Sequence, residues 1–394
     1  MVAWVAVGNL KWQPYACGSP QILPYQIFNS HYGLKPRGRL LWVIDISLEN
    51  ERREQPLHIH GDRAQLVFSH GGPVSAKPAL LTLSAGTKSC HIFRAPKSQE
   101  ESNPNAYKPR IVSIGPYHHG KKRLELIEQH KPRAFSKLLD RTAVGPIDYF
   151  NAIASWETHI RDSYSEALHW KTSDLIEMMI LDACFMIELF RAHTCENPED
   201  ADDPVFFTPW ILSSLMIDLL LIENQIPFFV LRKIYALSKS SSDADRSLNE
   251  IALRFFNRAL QWIDEHLQKH YRVSKITHLL DLFRLCLVGH LNIESPPPVD
   301  KELLQLMPST NHMLLAGIKF ESRKSKNLID VVFDDGVLRI PPFTIDLFTS
   351  SFFLSCLAYE QCCHCCSKHI SSYVVFMRCI MGTAADAVFS SLLR

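Results

Sequence analysis

Leu175-Ile176-Glu177-Met178-Met179-Ile180-Leu181-Asp182-Ala183-Cys184-Phe185-Met186-Ile187-Glu188-Leu189-Phe190-Arg191-Ala192-His193 decides the fold class. Its apolar residues fall on every side of a helical projection, not on one stripe. A helix of that kind is buried centrally among other helices. Ser173 offers an N-cap, and Asp174 and Glu177 put acids in the first turns, where the helix dipole favours them. Asp182 and Glu188 interrupt the apolar run, so each needs a cation or hydroxyl partner. The spacing predicts a predominantly α protein, a multi-helix globular domain.

The pattern extends in both directions. Thr208-Pro209 is a helix start, and Ile211, Leu212, Leu215, Met216, Leu219, Leu220, Leu221 and Ile222 follow it. Pro227 is expected to disrupt that helix, because it lacks an amide donor and would clash with the carbonyl of Glu223. Amphipathic helices are predicted over Leu248–Leu267, Ile276–Val288, Leu303–Leu315, Asp346–Gln361 and His369–Met381, with a proline-rich boundary at Glu294–Val299. The β signal is confined to Ile318–Phe320, Leu328–Phe333 and Val337–Ile340. Asp334-Asp335-Gly336 joins the last two as a small antiparallel β hairpin. Toward the N-terminus, Cys90–Ala95 and Arg110–Ile114 look extended and Gly115-Pro116 marks a turn. Lys121–Leu139 looks helical, with Pro132 kinking or breaking it. Residues 1–89 differ: Gly, Pro, His and Arg are frequent, no 3.6-residue period is sustained, and only Leu40–Leu48 suggests a strand. The expected organisation is an atypical N-terminal region, 1–89, and a helical body, 90–394.

The 394 residues are 46% hydrophobic and 21% charged, which excludes wholesale disorder. Lys plus Arg number 42 and Asp plus Glu 41, a balance that argues against a nucleic-acid partner. Of the two most apolar windows, Ile211–Leu231 carries Asp218, Glu223, Asn224, Gln225 and Pro227, and Leu347–Tyr359 is too short to span a bilayer. The N-terminus lacks the basic start of a secretory signal. The chain is thus expected to be cytoplasmic or peripheral to a membrane. Its 11 cysteines are then expected to be reduced, with Cys184 and Cys286 as core residues.

Four constellations could carry chemistry. Cys362-Cys363-His364-Cys365-Cys366, with Cys356 and His369, holds zinc-ligand types. Adjacent cysteines rarely address one metal, however, so a thiol-rich helix end or an acylated segment competes with a metal site. His118-His119 could act as base or ligand, or could cap backbone groups in a turn. Asp218, Glu223, Asn224 and Gln225 could form a catalytic carboxylate site. They could equally satisfy backbone freed by Pro227 and tie helices together. Lys121-Lys122-Arg123 with Lys131 and Arg133 makes a basic patch, most simply a solvated helix face. The sequence has no Gly-rich phosphate loop, no Gly-x-Ser-x-Gly elbow and no His-Glu-x-x-His, which lowers the weight of an enzyme. No catalytic or cofactor-binding residue is assigned, no cofactor is expected, and the metal question stays open.

Ile111-Val112-Ser113-Ile114-Gly115-Pro116-Tyr117-His118-His119-Gly120, ahead of Glu128-Gln129-His130-Lys131, resembles the opening signature of a plant family. It is the domain-of-unknown-function 247 family, also called uncharacterised protein family 0481. Asn105–Pro109, Leu181–Phe190, Asp218–Phe229, His278–Asp281, Ala316–Phe320, Tyr359–Cys362 and Ile370–Met377 follow in the family's order. The resemblance implies a mostly helical plant protein, membrane-associated through a C-terminal anchor helix. With Arg394 as the last residue, that anchor is expected to be missing here. The resemblance implies no accepted enzymatic activity; some relatives are implicated in pollen–stigma self-incompatibility in grasses. The expected function is therefore non-enzymatic recognition, signalling or protein interaction, with an unknown protein partner. The alternatives are a hydrolase or transferase built on Asp218–Gln225, or a truncated, non-functional gene product.

Overall fold

The deciding stretch is one helix, Thr172–Thr194, in the computed structural model, which describes residues 90–194, 203–239, 246–260, 264–289, 310–325, 327–342 and 344–380. The expectations for residues 1–89 lie outside those described. The elements run in chain order. First come α1 (Lys97–Ser102), a 3-10 turn (Lys122–Leu124), α2 (Glu125–Glu128), α3 (Lys131–Arg141), α4 (Pro146–Ala154) and α5 (Glu157–Asp162). The long helix is α6. It is followed by α7 (Pro204–Phe207), α8 (Pro209–Asp218), α9 (Phe228–Leu237), α10 (Leu248–Leu260), α11 (Asp264–Gln268) and α12 (Leu279–Val288). Then come α13 (Thr310–Leu315), β1 (Lys319–Ser322), β2 (Val332–Asp334), β3 (Val337–Ile340), α14 (Leu347–Cys362) and α15 (His369–Ile380).

Helix α6 is buried from Leu175 through Arg191 except at Glu177 and Leu181. It packs against α3, α4, α9 and α10, which together surround it. A chain of aromatic rings carries the core onward. Phe190 of α6 lies 5.2 Å from Phe255 and 6.2 Å from Phe256 of α10, and Phe256 lies 4.6 Å from Phe283 of α12. Such contacts add to the gain from burial alone. The small sheet has the order β1-β3-β2. The antiparallel hairpin β2–β3 turns on Asp335 and Gly336, both at positive φ (48° and 74°), as a two-residue loop requires. β1 adds on the far side of β3, parallel to it, and pairs Phe320 with Leu338.

Several element boundaries differ from expectation, each for a local reason. Ser173 is not the cap of α6; it lies inside the first turn, where its hydroxyl bonds the Asp174 carboxylate at 2.9 Å. The helix over 121–139 breaks ahead of Pro132, between α2 and α3, and Pro132 sits in the first turn of α3 where its missing donor costs nothing. Helix α8 stops at Asp218, not near Pro227. Side-chain amides capture its last carbonyls, and Pro227 instead occupies the N-cap position of α9. The expected clash at Glu223 therefore does not arise. The helix over 276–288 starts at Leu279, with His278 Nδ1 accepting the Asp281 N–H at 3.2 Å. Of the helix over 303–315, only Thr310–Leu315 falls among the described residues.

Leu220 is 1% exposed. Leu220→Ala is expected to lower unfolding stability in urea by about 2–5 kcal/mol. A loss below about 0.5 kcal/mol, the range of surface changes, would contradict its burial.

Candidate functional site

Residues 110–115 form a strap that runs from the exposed Arg110 into the helical core without joining a sheet. Buried peptide groups that lack secondary structure must find side-chain partners. Asp218, at the end of α8, supplies most of them. Its carboxylate accepts the N–H groups of Arg110 (2.8 Å), Ile111 (2.8 Å) and Val112 (3.1 Å). Asn224 Oδ1 accepts the Ile114 N–H at 2.7 Å, and its Nδ2 donates to the carbonyls of Val112 and Asp218. Asp182 of α6 accepts the Gly115 N–H at 2.7 Å. Gly115 is obligatory in this arrangement: φ is +76°, and a Cβ would lie 2.4 Å from the Gln225 carbonyl oxygen. Gln225 completes the latch. Its Nε2 donates to the carbonyls of Leu219 and Leu221 at 2.8 Å, and its Oε1 accepts the Leu280 N–H in the first turn of α12. Burial pushes the Asp218 carboxyl up to about 6, against the pull of its three amide donors.

A buried ion pair anchors the other side. Lys131 Nζ meets Asp182 Oδ1 at 2.6 Å, Glu128 Oε1 at 2.6 Å and the Ser113 carbonyl at 2.6 Å. Lys131 therefore does not belong to a solvated basic patch. It is 1% exposed and spent on this network, because Asp182 would otherwise be an unpaired buried charge. Glu188 likewise has its cations, Arg141 at 2.6 Å and Arg191 at 3.0 Å.

His118 and Glu223 come together at the end of the strap. His118 Nε2 lies 3.1 Å from Glu223 Oε2, and Glu223 Oε1 accepts the Ala95 N–H at 3.0 Å. Arg94 reaches Glu223 at 3.2 Å and Glu166 at 2.9 Å. The imidazole thus meets a carboxylate rather than capping backbone, and His119 faces Glu128 at 3.7 Å. Burial lowers the His118 pKa although Glu223 raises it. Glu223 is held below the ordinary carboxylate range; burial opposes this, and the His118 hydrogen bond, the Ala95 amide and Arg94 outweigh it. Arg94 and Glu166 were not among the sequence candidates; they are far apart in the chain and come together only by folding.

The cysteine-rich segment forms the turn between α14 and α15. Cys363 Sγ lies 3.3 Å from Cys365 Sγ, Cys366 Sγ donates to the Cys363 carbonyl at 3.4 Å, and Lys368 Nζ donates to the same oxygen. Cys356 is buried within α14. Among the described residues no group of three His, Cys, Asp or Glu is arranged to hold a metal ion. Glu360 caps α15 through the Ile370 and Ser371 N–H groups and pairs with Arg284 at 3.6 Å.

Two outcomes test the latch. Asp218→Ala is expected to cost about 3–5 kcal/mol in urea unfolding, because each buried donor left unpaired costs about 1–3 kcal/mol. A cost under about 1 kcal/mol would contradict the geometry. The second concerns pH. A lowered folded-state pKa for His118 means the unfolded chain binds its proton more tightly. Its contribution is complete above the ordinary 6.5 and is lost as pH falls below it. His118→Gln should therefore flatten the stability decline below about pH 6.5; an unchanged slope would contradict a neutral native imidazole.

A family profile described as a plant protein of unknown function matches residues 92–391. The chain is 41% identical over 339 residues to the UPF0481 protein At3g47200 of Arabidopsis thaliana, covering 80% of this chain and 70% of that protein. It is 23% identical over 364 residues to the putative UPF0481 protein At3g02645 of the same plant, covering 68% and 67%. No solved structure matches it. The strap, the Asp218–Gln225 latch and the Lys131–Asp182 pair all fall within the matched region. The chain belongs to this plant family of unknown function, the domain-of-unknown-function 247 or uncharacterised protein family 0481.

Proposed function

We propose that the chain is a recognition or interaction protein, and that Asp218, Asn224 and Gln225 serve its fold rather than a reaction. One observation carries this: Asp218, Asn224 and Gln225 are each bonded to backbone groups of the strap or of neighbouring helices. The alternative hydrolase or transferase at Asp218–Gln225 would need these groups turned toward a substrate. Binding then falls to the surface, where Ile147 (74% exposed) on α4 and Trp210 (60% exposed) on α8 offer large apolar side chains. Side chains of this kind anchor interfaces.

No described helix is long and apolar enough to cross a membrane. We place the protein in the cytoplasm, free or at a membrane surface. Unpaired thiols in the core at Cys184, Cys286 and Cys356 support a reducing compartment.

The test is in-cell crosslinking of the tagged chain in plant tissue, followed by a carbonate wash. A discrete adduct above the 45.1 kDa of one chain is expected in the wash, and it should be lost in a Trp210→Ala, Ile147→Ala variant with an unchanged unfolding midpoint. A chain that stays at its own mass under crosslinking would contradict the interaction role. Retention in the washed membrane would contradict peripheral placement.

A further inference from the structure

The setting of Lys121, just beyond the strap, is not explained by the latch. Gly120, at φ +78°, turns the chain back so that the Lys121 N–H meets the His118 carbonyl at 3.4 Å. That turn lays the lysine side chain over the preceding imidazole. Its Nζ lies 2.5 Å from His118 Nδ1, while His118 Nε2 faces Glu223 Oε2 at 3.1 Å. Glu223 is fixed in turn by the Ala95 N–H and by Arg94. The imidazole lies between carboxylate and amine, with the amine at the exposed end and the carboxylate at the buried end. The geometry is that of an oriented base touching a nucleophile.

We infer that Glu223, His118 and Lys121 form a relay that activates the Lys121 amine toward the carbonyl of a small anionic aldehyde or ketone, captured as an imine. With its Nε2–H turned toward the Glu223 carboxylate, His118 presents the Nδ1 lone pair to Lys121. His118 takes a proton from the lysine ammonium, the freed amine nitrogen bonds to the carbonyl carbon, and one of its remaining protons passes to the carbonyl oxygen to give a carbinolamine. The imidazolium then returns its proton to the departing hydroxyl, so that water leaves and a protonated imine remains. The charge of the ligand follows from the surroundings. Arg94, Lys108 and Arg123 all lie close enough to act on Lys121 electrostatically, and Glu223 is the facing anion. Burial first, then these cations, lowers the Lys121 pKa, while Glu223 opposes them. A cationic rim around a nucleophilic amine favours a ligand that carries its own negative charge. This goes beyond the interaction role proposed above, and either can fail without the other.

The probe is pyridoxal 5′-phosphate at sub-stoichiometric concentration on the full chain, trapped with borohydride and mapped by peptide mass spectrometry. Lys122, the next residue, serves as the internal control, so no variant is needed for the first comparison. Lys121 is expected to label at least about tenfold faster than Lys122, with a rate that levels off at lower pH than that of Lys122. Pyridoxal without the phosphate should lose much of the preference. His118→Gln should remove it while the circular dichroism spectrum is retained, and Lys121→Arg should abolish the fast-labelled peptide. Equal labelling of Lys121 and Lys122 in the unmodified protein would overturn the proposal. So would a preference that survives His118→Gln.

Discussion

Burying a peptide segment that joins no helix or sheet is costly unless every polar group finds a partner. Residues 110–115 impose that constraint, and the rest of the structure is arranged to meet it. Asp218 takes three N–H groups, Asn224 and Asp182 take two more, and Lys131 takes a carbonyl. Three helices contribute through these residues or the turns that follow them. The strap therefore works as a staple that ties α3, α6 and α8 to one stretch of backbone, and Gln225 joins the turn after α8 to α12.

This arrangement explains why polar residues sit in an otherwise apolar core. A side-chain amide can imitate a peptide group, both accepting and donating, and Asn224 does so between Val112 and Ile114. Asp218 can satisfy several amides that converge on one oxygen, which no neutral acceptor of its size does as well. The buried charge of Asp182 is compensated by Lys131 in the manner such pairs require, and removing either partner alone would strand the other. Surface chemistry is left to the rim of the strap, where Arg94, Glu166 and Lys121 reach solvent around His118.

Features set by local sequence were legible in advance. The all-round apolar pattern of α6, the start of α8 at Thr208-Pro209 and the Asp335-Gly336 turn each depend on residues close together in the chain. Partners for Asp182 and Glu188 could be demanded on burial alone, although the sequence could not name them. The end of α8 was not legible, because it depends on Asn224 and Gln225 folding back onto carbonyls they follow, with the strap as counterpart. Lys131 looked like a surface cation because its partner, Asp182, is far along the chain. His118 looked like a turn residue because Glu223 is farther still. In each case the missing information was a contact between distant segments, which no periodicity carries. The cysteine turn was visible as a composition, but its placement between α14 and α15, with Cys363 and Cys365 in contact, required the fold.

The central claim is that the strap is held as firmly as the helices it crosses. Native-state hydrogen exchange resolved to single amides tests it most directly. The account predicts that the amides of Arg110, Ile111, Val112, Ile114 and Gly115 exchange within about tenfold of those at the centre of α6, through global opening. Exchange of these amides at the rate of an open surface loop, while α6 stays protected, would contradict it.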